Sequence, residues 1–212
     1  MSNPETYEVF AIRYGTVTNR LRRDNFIIAP SHPTDLHDSE MPLDYFVWAI
    51  RNENRTVVVD TGFERTEGDK RGRTITRLPR EGLEIVDIDA AKIEDVIITH
   101  LHYDHAGTLD DFPAARFHLQ ETEMNYATGK HMCHEPFGHA YAPDHICTMV
   151  RRVFDGRVEF HDGAAEIAPG ISVHWIGGHT AGVQCVRILT KRGYVVLASD
   201  ASHFYENLEG TA

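Results

Sequence analysis

Short runs of branched and aromatic residues, separated by polar turns, dominate the chain. Such runs predict β-strands, here at residues 7–12, 45–50, 56–59, 96–99, 115–119, 171–176, 183–189 and 194–198. Helical spacing is rarer and predicts helices at residues 89–94, 121–128 and 145–154. There is no repeat of fixed period and no low-complexity linker. The pattern therefore favours an α/β fold in which two sheets pack face to face with helices outside.

Two stretches between these elements have the composition of insertions. Residues 64–81 hold eight charged residues ahead of the final Arg80-Glu81 pair and show little apolar periodicity, which predicts a solvated loop. Residues 131–145 combine aromatic residues and prolines with four histidines, His131, His134, His139 and His145. This second stretch is either a lid over a cleft or a surface excursion with incidental histidines.

Composition narrows the class of protein. The 212 residues, 42% hydrophobic and 25% charged, predict one globular domain that spans residues 1–212. A formal net charge of −11 argues against binding to a phosphate backbone, so we expect no nucleic-acid partner.

Cysteine usage and the amino terminus indicate a compartment. Cys133, Cys147 and Cys185 are odd in number and lack C-x-x-C spacing, which predicts free thiols in a reducing environment. The first residues show no charged region that leads into an apolar one, and no apolar run approaches the roughly 20 residues that cross a bilayer. We expect a cytoplasmic protein that does not bind membranes.

The strongest chemical signal is the segment His100-Leu101-His102-Tyr103-Asp104-His105, which directly follows the apolar run at residues 96–98. Imidazole nitrogen suits zinc, and carboxylate oxygen suits a hard or borderline divalent cation. In an extended chain His105 points away from the other three ligands unless the backbone turns, and Gly107 allows a turn just beyond the cluster. Four ligand groups fit two neighbouring cations better than one.

Further ligands must come from elsewhere in the chain. His179 lies in a glycine-flanked turn after the strand at residues 171–176, and Asp200 follows the strand at residues 194–198. A carboxylate at the end of that strand can bridge two cations. Isolated histidines such as His161 and His174 are expected to be structural.

At these residues the chain resembles the metallo-β-lactamase-fold hydrolases, whose signature is H-x-H-x-D-H followed by single His, Asp and His ligands. The strand at residues 56–59 with Asp60-Thr61-Gly62 also matches, and order and spacing agree from about Phe46 to Asp200. The resemblance implies an αββα sandwich with two divalent ions of the zinc type. The ligands it implies are His100, His102 and His179 for one ion and Asp104 and His105 for the other, with Asp200 as the bridge.

The resemblance breaks down near the carboxyl end. The family's last ligand is a histidine some tens of residues after the bridging aspartate, whereas this chain ends at Ala212, twelve residues after Asp200. We expect either a truncated form of a longer protein, lacking a C-terminal strand and helix, or a natural short form with a weakened or mononuclear site. His203 is expected to line the substrate cleft.

Within the family, the N-acyl homoserine lactone lactonases match best. Their His-Leu-His-aromatic-Asp-His-Ala-Gly form corresponds to residues 100–107, and their Asp-Ala-Ser corresponds to residues 200–202. The resemblance implies opening of a lactone ring by a metal-bridging hydroxide, with Asp104 or the second ion assisting the leaving alkoxide. The lactonases have a tyrosine where this chain has His203, so His203, or Tyr205 two residues further on, would assist at the substrate carbonyl.

Two alternatives remain open at this point. One is a glyoxalase II-like hydrolase that acts on a thioester. The other is a metal-binding or partner-binding domain that the missing C-terminal ligand has impaired. In that second case exposed apolar surface would favour association, for example as a homodimer.

Overall fold

The computed structural model describes residues 5–25 and 39–209, which form two stacked β-sheets with helices. In this part of the chain the strands are β1 Glu8–Val17, β2 Leu43–Arg51, β3 Thr56–Val59, β4 Thr74–Ile75, β5 Asp95–Ile97, β6 Arg116–Gln120, β7 Val158–His161, β8 Ala165–Ala168, β9 Ile171–Trp175, β10 Gln184–Thr190 and β11 Gly193–Leu197. The helices are α1 Arg65–Lys70, α2 Pro79–Glu84, α3 Glu121–Ala127, α4 Glu135–Gly138, α5 Pro143–Phe154 and α6 Tyr205–Glu209. None of these helices is long and apolar enough to cross a membrane.

Sheet topology brings several strand ends to one edge of the molecule. The larger sheet has the order β4-β1-β2-β3-β5-β6-β7, and its strands β3, β5, β6 and β7 run parallel. The smaller sheet, β11-β10-β9-β8, is antiparallel, so that β9 and β11 point the same way. The carboxyl ends of parallel strands meet at one edge, which is where ligands bind in open α/β sheets.

Apolar side chains form two separate cores. Between the sheets, buried residues of the larger sheet such as Val57 and Ile97 meet Val173 and Ile188 of the smaller one. Such faces are buried because strand side chains alternate and each face must be removed from water. The other face of the larger sheet packs against helices, through residues that include Leu83 of α2, Ala127 of α3 and Met149 of α5. The prediction of two face-to-face sheets with helices outside is confirmed.

All the predicted strands occur, and their ends differ from the expected ones by at most five residues. Three short strands were not predicted. β4, β7 and β8 have two to four residues, too few for a clear alternation. The predicted helix at residues 89–94 is a single 3₁₀ turn, Ala90–Lys92. The side chain of Asp89 caps this turn by accepting a hydrogen bond from the amide of Ala91.

The prediction of a solvated loop at residues 64–81 was wrong. The stretch contains α1 and β4 and the beginning of α2. Glu67 is buried there, because Arg71 and Lys70 pair with its carboxylate and offset the loss of hydration. Residues 131–145 contain α4 and the start of α5 and line a cleft described below.

Candidate metal centre

The segment after β5 turns back on itself inside the histidine cluster. The amides of His105 and Ala106 both donate to the carbonyl oxygen of His102, at 3.1 and 3.2 Å. The alternation of an extended chain therefore ends at His102, and the ring of His105 comes to 4.0 Å from that of His100, measured between centroids. The turn begins before Gly107 rather than beyond it.

Position 107 has no room for a side chain. A Cβ on Gly107 would lie 2.6 Å from the carbonyl oxygen of Gly62 and 2.9 Å from Cε1 of His145. Its amide donates to that same Gly62 oxygen at 2.7 Å. The close approach holds the end of the cluster against the turn that follows β3.

The two distant ligand candidates lie directly beside the cluster. His179 Nε2 is 3.0 Å from His102 Nδ1. Donor atoms of His100, His102, His179 and Asp200 all lie within 4.8 Å of one another. The turn that delivers His179 depends on Gly177 and Gly178, which have φ angles of 70° and 97°, a region that side chains disfavour.

Asp200 lies between two sets of imidazoles. Its Oδ2 is 3.2 Å from His179 Nε2 and 3.9 Å from His100 Nε2, while its Oδ1 is 3.3 Å from His105 Nε2. Asp104 completes the second set, with Oδ2 at 3.7 Å from His105 Nε2. The six side chains expected from sequence thus converge in one place, with Asp200 where a bridge would be.

The electrostatics of these side chains suit a cationic group. Burial lowers the pKa of His100 far below its ordinary value, and burial together with His179 lowers the pKa of His102 to about 2. Burial also disfavours protonation of His105, yet the nearby carboxylates, first Asp200, raise its pKa well above normal. His100 Nε2 is buried without any hydrogen-bond partner in the described structure.

The unpartnered nitrogen of His100 bears on whether these side chains fit a metal ion. A buried imidazole nitrogen without a partner is costly unless something absent from the polypeptide binds it. Neutral imidazoles and carboxylates are the donors that zinc accepts. The residues present therefore fit a divalent metal ion.

Asp60 contacts the second ring nitrogen of His105, the one that does not face Asp200. It follows β3 with a φ of 61°, and its Oδ2 lies 2.7 Å from His105 Nδ1. The amide and hydroxyl of Thr99 also donate to Asp60. A carboxylate on the far nitrogen of a ligand histidine fixes the ring orientation and its tautomer.

Glu123 is the supporting residue that sequence reasoning missed. Its fully buried carboxylate accepts four hydrogen bonds, from the amides of Leu101 and Gly182 and the hydroxyls of Tyr141 and Thr180. One side chain of α3 thereby ties the loop of His100 and His102 to the turn of His179. The one signal in the sequence is that Glu123 shares the buried face of α3 with Ala127, four residues on.

The cluster opens into a cleft of about 1200 Å³. Both predicted cleft residues line it: His203 Nε2 lies 2.9 Å from Asp200 Oδ2, and Tyr205, 83% exposed, is further out. Residues 131–145 also contribute Pro136, Phe137 and His139 to the lining of the cleft. Of the two interpretations of that stretch, the structure favours the wall of a cleft.

The two isolated histidines have local partners away from the centre. His161 Nε2 lies 3.2 Å from His118 Nδ1 with the rings stacked, and His118 Nε2 in turn is 2.9 Å from Asp95. His174 Nε2 lies 3.0 Å from the Ser172 hydroxyl. Neither joins the cluster of ligand candidates.

Comparison with known sequences identifies relatives of the chain. Residues 41–212 match the family model of the metallo-beta-lactamase superfamily. An N-acyl homoserine lactonase of Bacillus cereus is 27% identical over 187 residues, which cover 79% of this chain and 67% of that protein.

Solved structures show the same fold. A quorum-quenching N-acyl homoserine lactone lactonase is similar with a TM-score of 0.75 at 22% identity, covering 98% of this chain and 79% of that one. An N-acyl homoserine lactone hydrolase with the product N-hexanoyl-L-homoserine bound at its catalytic metal centre has a TM-score of 0.72 at 20% identity, covering 98% and 80%. At these identities the likeness shows the fold.

Proposed function

The chain belongs to the metallo-beta-lactamase superfamily of hydrolases, and we propose that it opens the ring of a lactone of the N-acyl homoserine lactone type. The observation that carries this proposal is the convergence of four imidazoles and two carboxylates beside one cleft. The names of the relatives support the choice of lactone, since those proteins are N-acyl homoserine lactonases. Such an activity would quench quorum signals.

We assign His100, His102 and His179 to one divalent ion and Asp104 and His105 to a second, with Asp200 between them. Zinc is the proposed metal, because the donors are imidazole nitrogen and carboxylate oxygen. When bound, such ions supply Lewis acidity and make water a better nucleophile near neutral pH.

The chain's own side chains hold the reactants and move the proton. Asp104 is proposed to take a proton from the attacking water and return it to the ring oxygen as the ester bond breaks. His203, which lines the cleft and has its Nε2 2.9 Å from Asp200 Oδ2, is proposed to donate a hydrogen bond to the substrate carbonyl. Tyr205 is the second candidate for that donor.

The test is metal content per chain, measured together with hydrolysis of a panel of lactones and thioesters. We expect up to two metal ions per chain and release of one acid group per lactone, lost after chelation and restored by zinc. His179→Ala should reduce both metal content and turnover. His174→Ala, a histidine outside the cluster, is the matched control.

Three results would contradict the proposal. Undiminished lactone hydrolysis after exhaustive chelation would exclude a metal-dependent reaction. A preference for a glutathione thioester over every lactone would favour the glyoxalase II-like reaction. A metal-loaded protein that hydrolyses neither class would indicate a binding domain.

A further inference from the structure

Arg73 lies on the wall of the cleft, next to two buried tyrosines. Its Nε donates to the hydroxyl of Tyr103 at 3.2 Å, and that hydroxyl is 3.3 Å from the hydroxyl of Tyr45. All three residues line the same cleft as the metal centre. Tyr103 lies between His102 and Asp104 in the chain, so this polar group is joined directly to the ligand segment.

The terminal nitrogens of Arg73 are available to a ligand. Among the described residues, no carboxylate forms an ion pair with this side chain, and the bond to Tyr103 uses Nε alone. The nearby Arg71 is different, because its guanidinium bonds to Glu67 and to the carbonyl oxygens of His139 and Tyr141. The guanidinium of Arg71 is therefore bonded within the fold, whereas the terminal nitrogens of Arg73 make no such bond among the described residues.

The carboxylates that line the cleft are engaged by groups other than Arg73. Asp44 is one of them, and it is paired with Arg13. The carboxylates of Asp104 and Asp200 face the imidazole cluster, where bound divalent ions would offset them. A guanidinium with free planar donors is the group best suited to bind a carboxylate through two parallel hydrogen bonds.

Aromatic side chains make up much of the remaining lining of the cleft. The rings of Phe46 and Trp48 lie 5.8 Å apart between centroids in a tilted arrangement, and Phe137 lies on the wall formed by residues 131–145. Arg20 also lines the cleft, but its guanidinium donates to the carbonyl oxygen of Asp24. An apolar chain can lie against these rings. A charged end group would then need a cation, and Arg73 supplies one.

We propose that Arg73, with the hydroxyls of Tyr45 and Tyr103, selects a substrate whose acyl part carries a carboxylate. The substrate class is therefore an anionic lactone with an apolar linker, recognised at one end by the metal centre and at the other by the guanidinium. This inference rests on the proposed lactone hydrolysis, but the recognition of the carboxylate can be measured without turnover.

The first experiment compares pairs of lactones that differ only at the acyl end. Each pair has an N-acyl chain of four, six or eight carbons that ends in either a methyl group or a carboxylate. For the best-fitting length we expect kcat/KM of the wild-type protein to favour the carboxylate about tenfold to 100-fold, because a charge-assisted bidentate contact is worth that much. Most of this preference should lie in KM, since the contact is distant from the reacting bond.

The second experiment measures binding by titration calorimetry of the ring-opened forms of each pair to the metal-loaded protein. We expect Arg73→Met to abolish the preference for the carboxylate in both experiments, so that the two members of each pair are bound and hydrolysed alike. Arg73→Lys should retain part of it, because it keeps the charge and loses the planar pair of donors. Arg80→Met, which removes the same charge beside Asp111 outside the cleft, is the control for net charge.

The outcomes separate the two proposals. If no lactone is hydrolysed but the calorimetric preference is present and depends on Arg73, the proposed function fails and the binding role stands. Equal affinity of the wild-type protein for both members of every pair would overturn the binding role. A preference that survives Arg73→Met at its full size would do the same.

Discussion

Replacing Glu123 by glutamine tests the physical basis of the metal centre. The carboxylate is fully buried and receives the amides of Leu101 and Gly182 at 2.9 and 3.0 Å, one on each oxygen. Glutamine is almost isosteric, but its NH₂ group must face one of these amides. Backbone donors cannot rotate, whereas the hydroxyls that also bond to Glu123 can turn to other acceptors.

The expected loss of stability follows from these two backbone amides, because neither can turn to another acceptor. One amide loses a charge-assisted hydrogen bond and stays buried without a partner, which costs about 2–4 kcal/mol in the free energy of unfolding. For a chain of this size the melting temperature should fall by roughly 5–15 °C. The loops of His102 and His179 should also separate, because Glu123 is the side chain that joins them.

Urea unfolding of the metal-free protein measures the first effect, and competition with a chelator measures the second. Glu121→Gln, at an exposed position of the same helix, is the control and should change stability by less than about 0.5 kcal/mol. If Glu123→Gln is as stable as this control, the reasoning about buried fixed donors is refuted. If stability falls while zinc affinity stays at the wild-type level, the link between Glu123 and the ligand loops is refuted.

Three further changes probe separate features. Asp60→Asn removes the negative charge behind His105, a proposed ligand, and should weaken zinc binding about 10–100-fold in chelator competition; an unchanged affinity would exclude this supporting role. Gly182→Ala places a Cβ 2.3 Å from the backbone nitrogen of Glu123, so it should lower stability by roughly 1–3 kcal/mol or more, and a wild-type urea midpoint would show that the chain relaxes freely there. The pKa of Asp95 is held below its ordinary value by a hydrogen bond from His118, so its contribution is complete above about pH 4 and is lost as pH falls through the lower folded pKa. Asp95→Asn should therefore show less acid destabilisation than the wild type as pH falls from about 4 to about 2, roughly the range below the ordinary carboxyl pKa, and equal acid sensitivity would contradict the pairing.

Much of the architecture was predictable because it depends on local patterns. Short runs rich in branched residues predicted strands such as β3 and β10 to within one residue at each end, since such side chains favour the extended backbone locally. Membership of the metallo-beta-lactamase superfamily was likewise predicted, from the histidine motif at residues 100–105 and the order and spacing of the segments around it, and is confirmed by the family match. The short β4 and the charged α1 were not predictable, because the former has too few residues and the latter is stabilised by partners distant in sequence.

The same division applies to the metal centre. His100, His102 and Asp104 are identifiable from spacing alone, because ligand types at the end of a buried strand have few other uses. What the sequence determined by itself was therefore the inventory of donors and the strand ends that deliver them. Only the tertiary structure decided which donors meet, that Glu123 joins two ligand loops, and that Arg73 keeps free nitrogens in the cleft. The physical reason is range: periodicity and turns act over a few residues, whereas hydrogen bonds and charge compensation act between groups that only folding brings together.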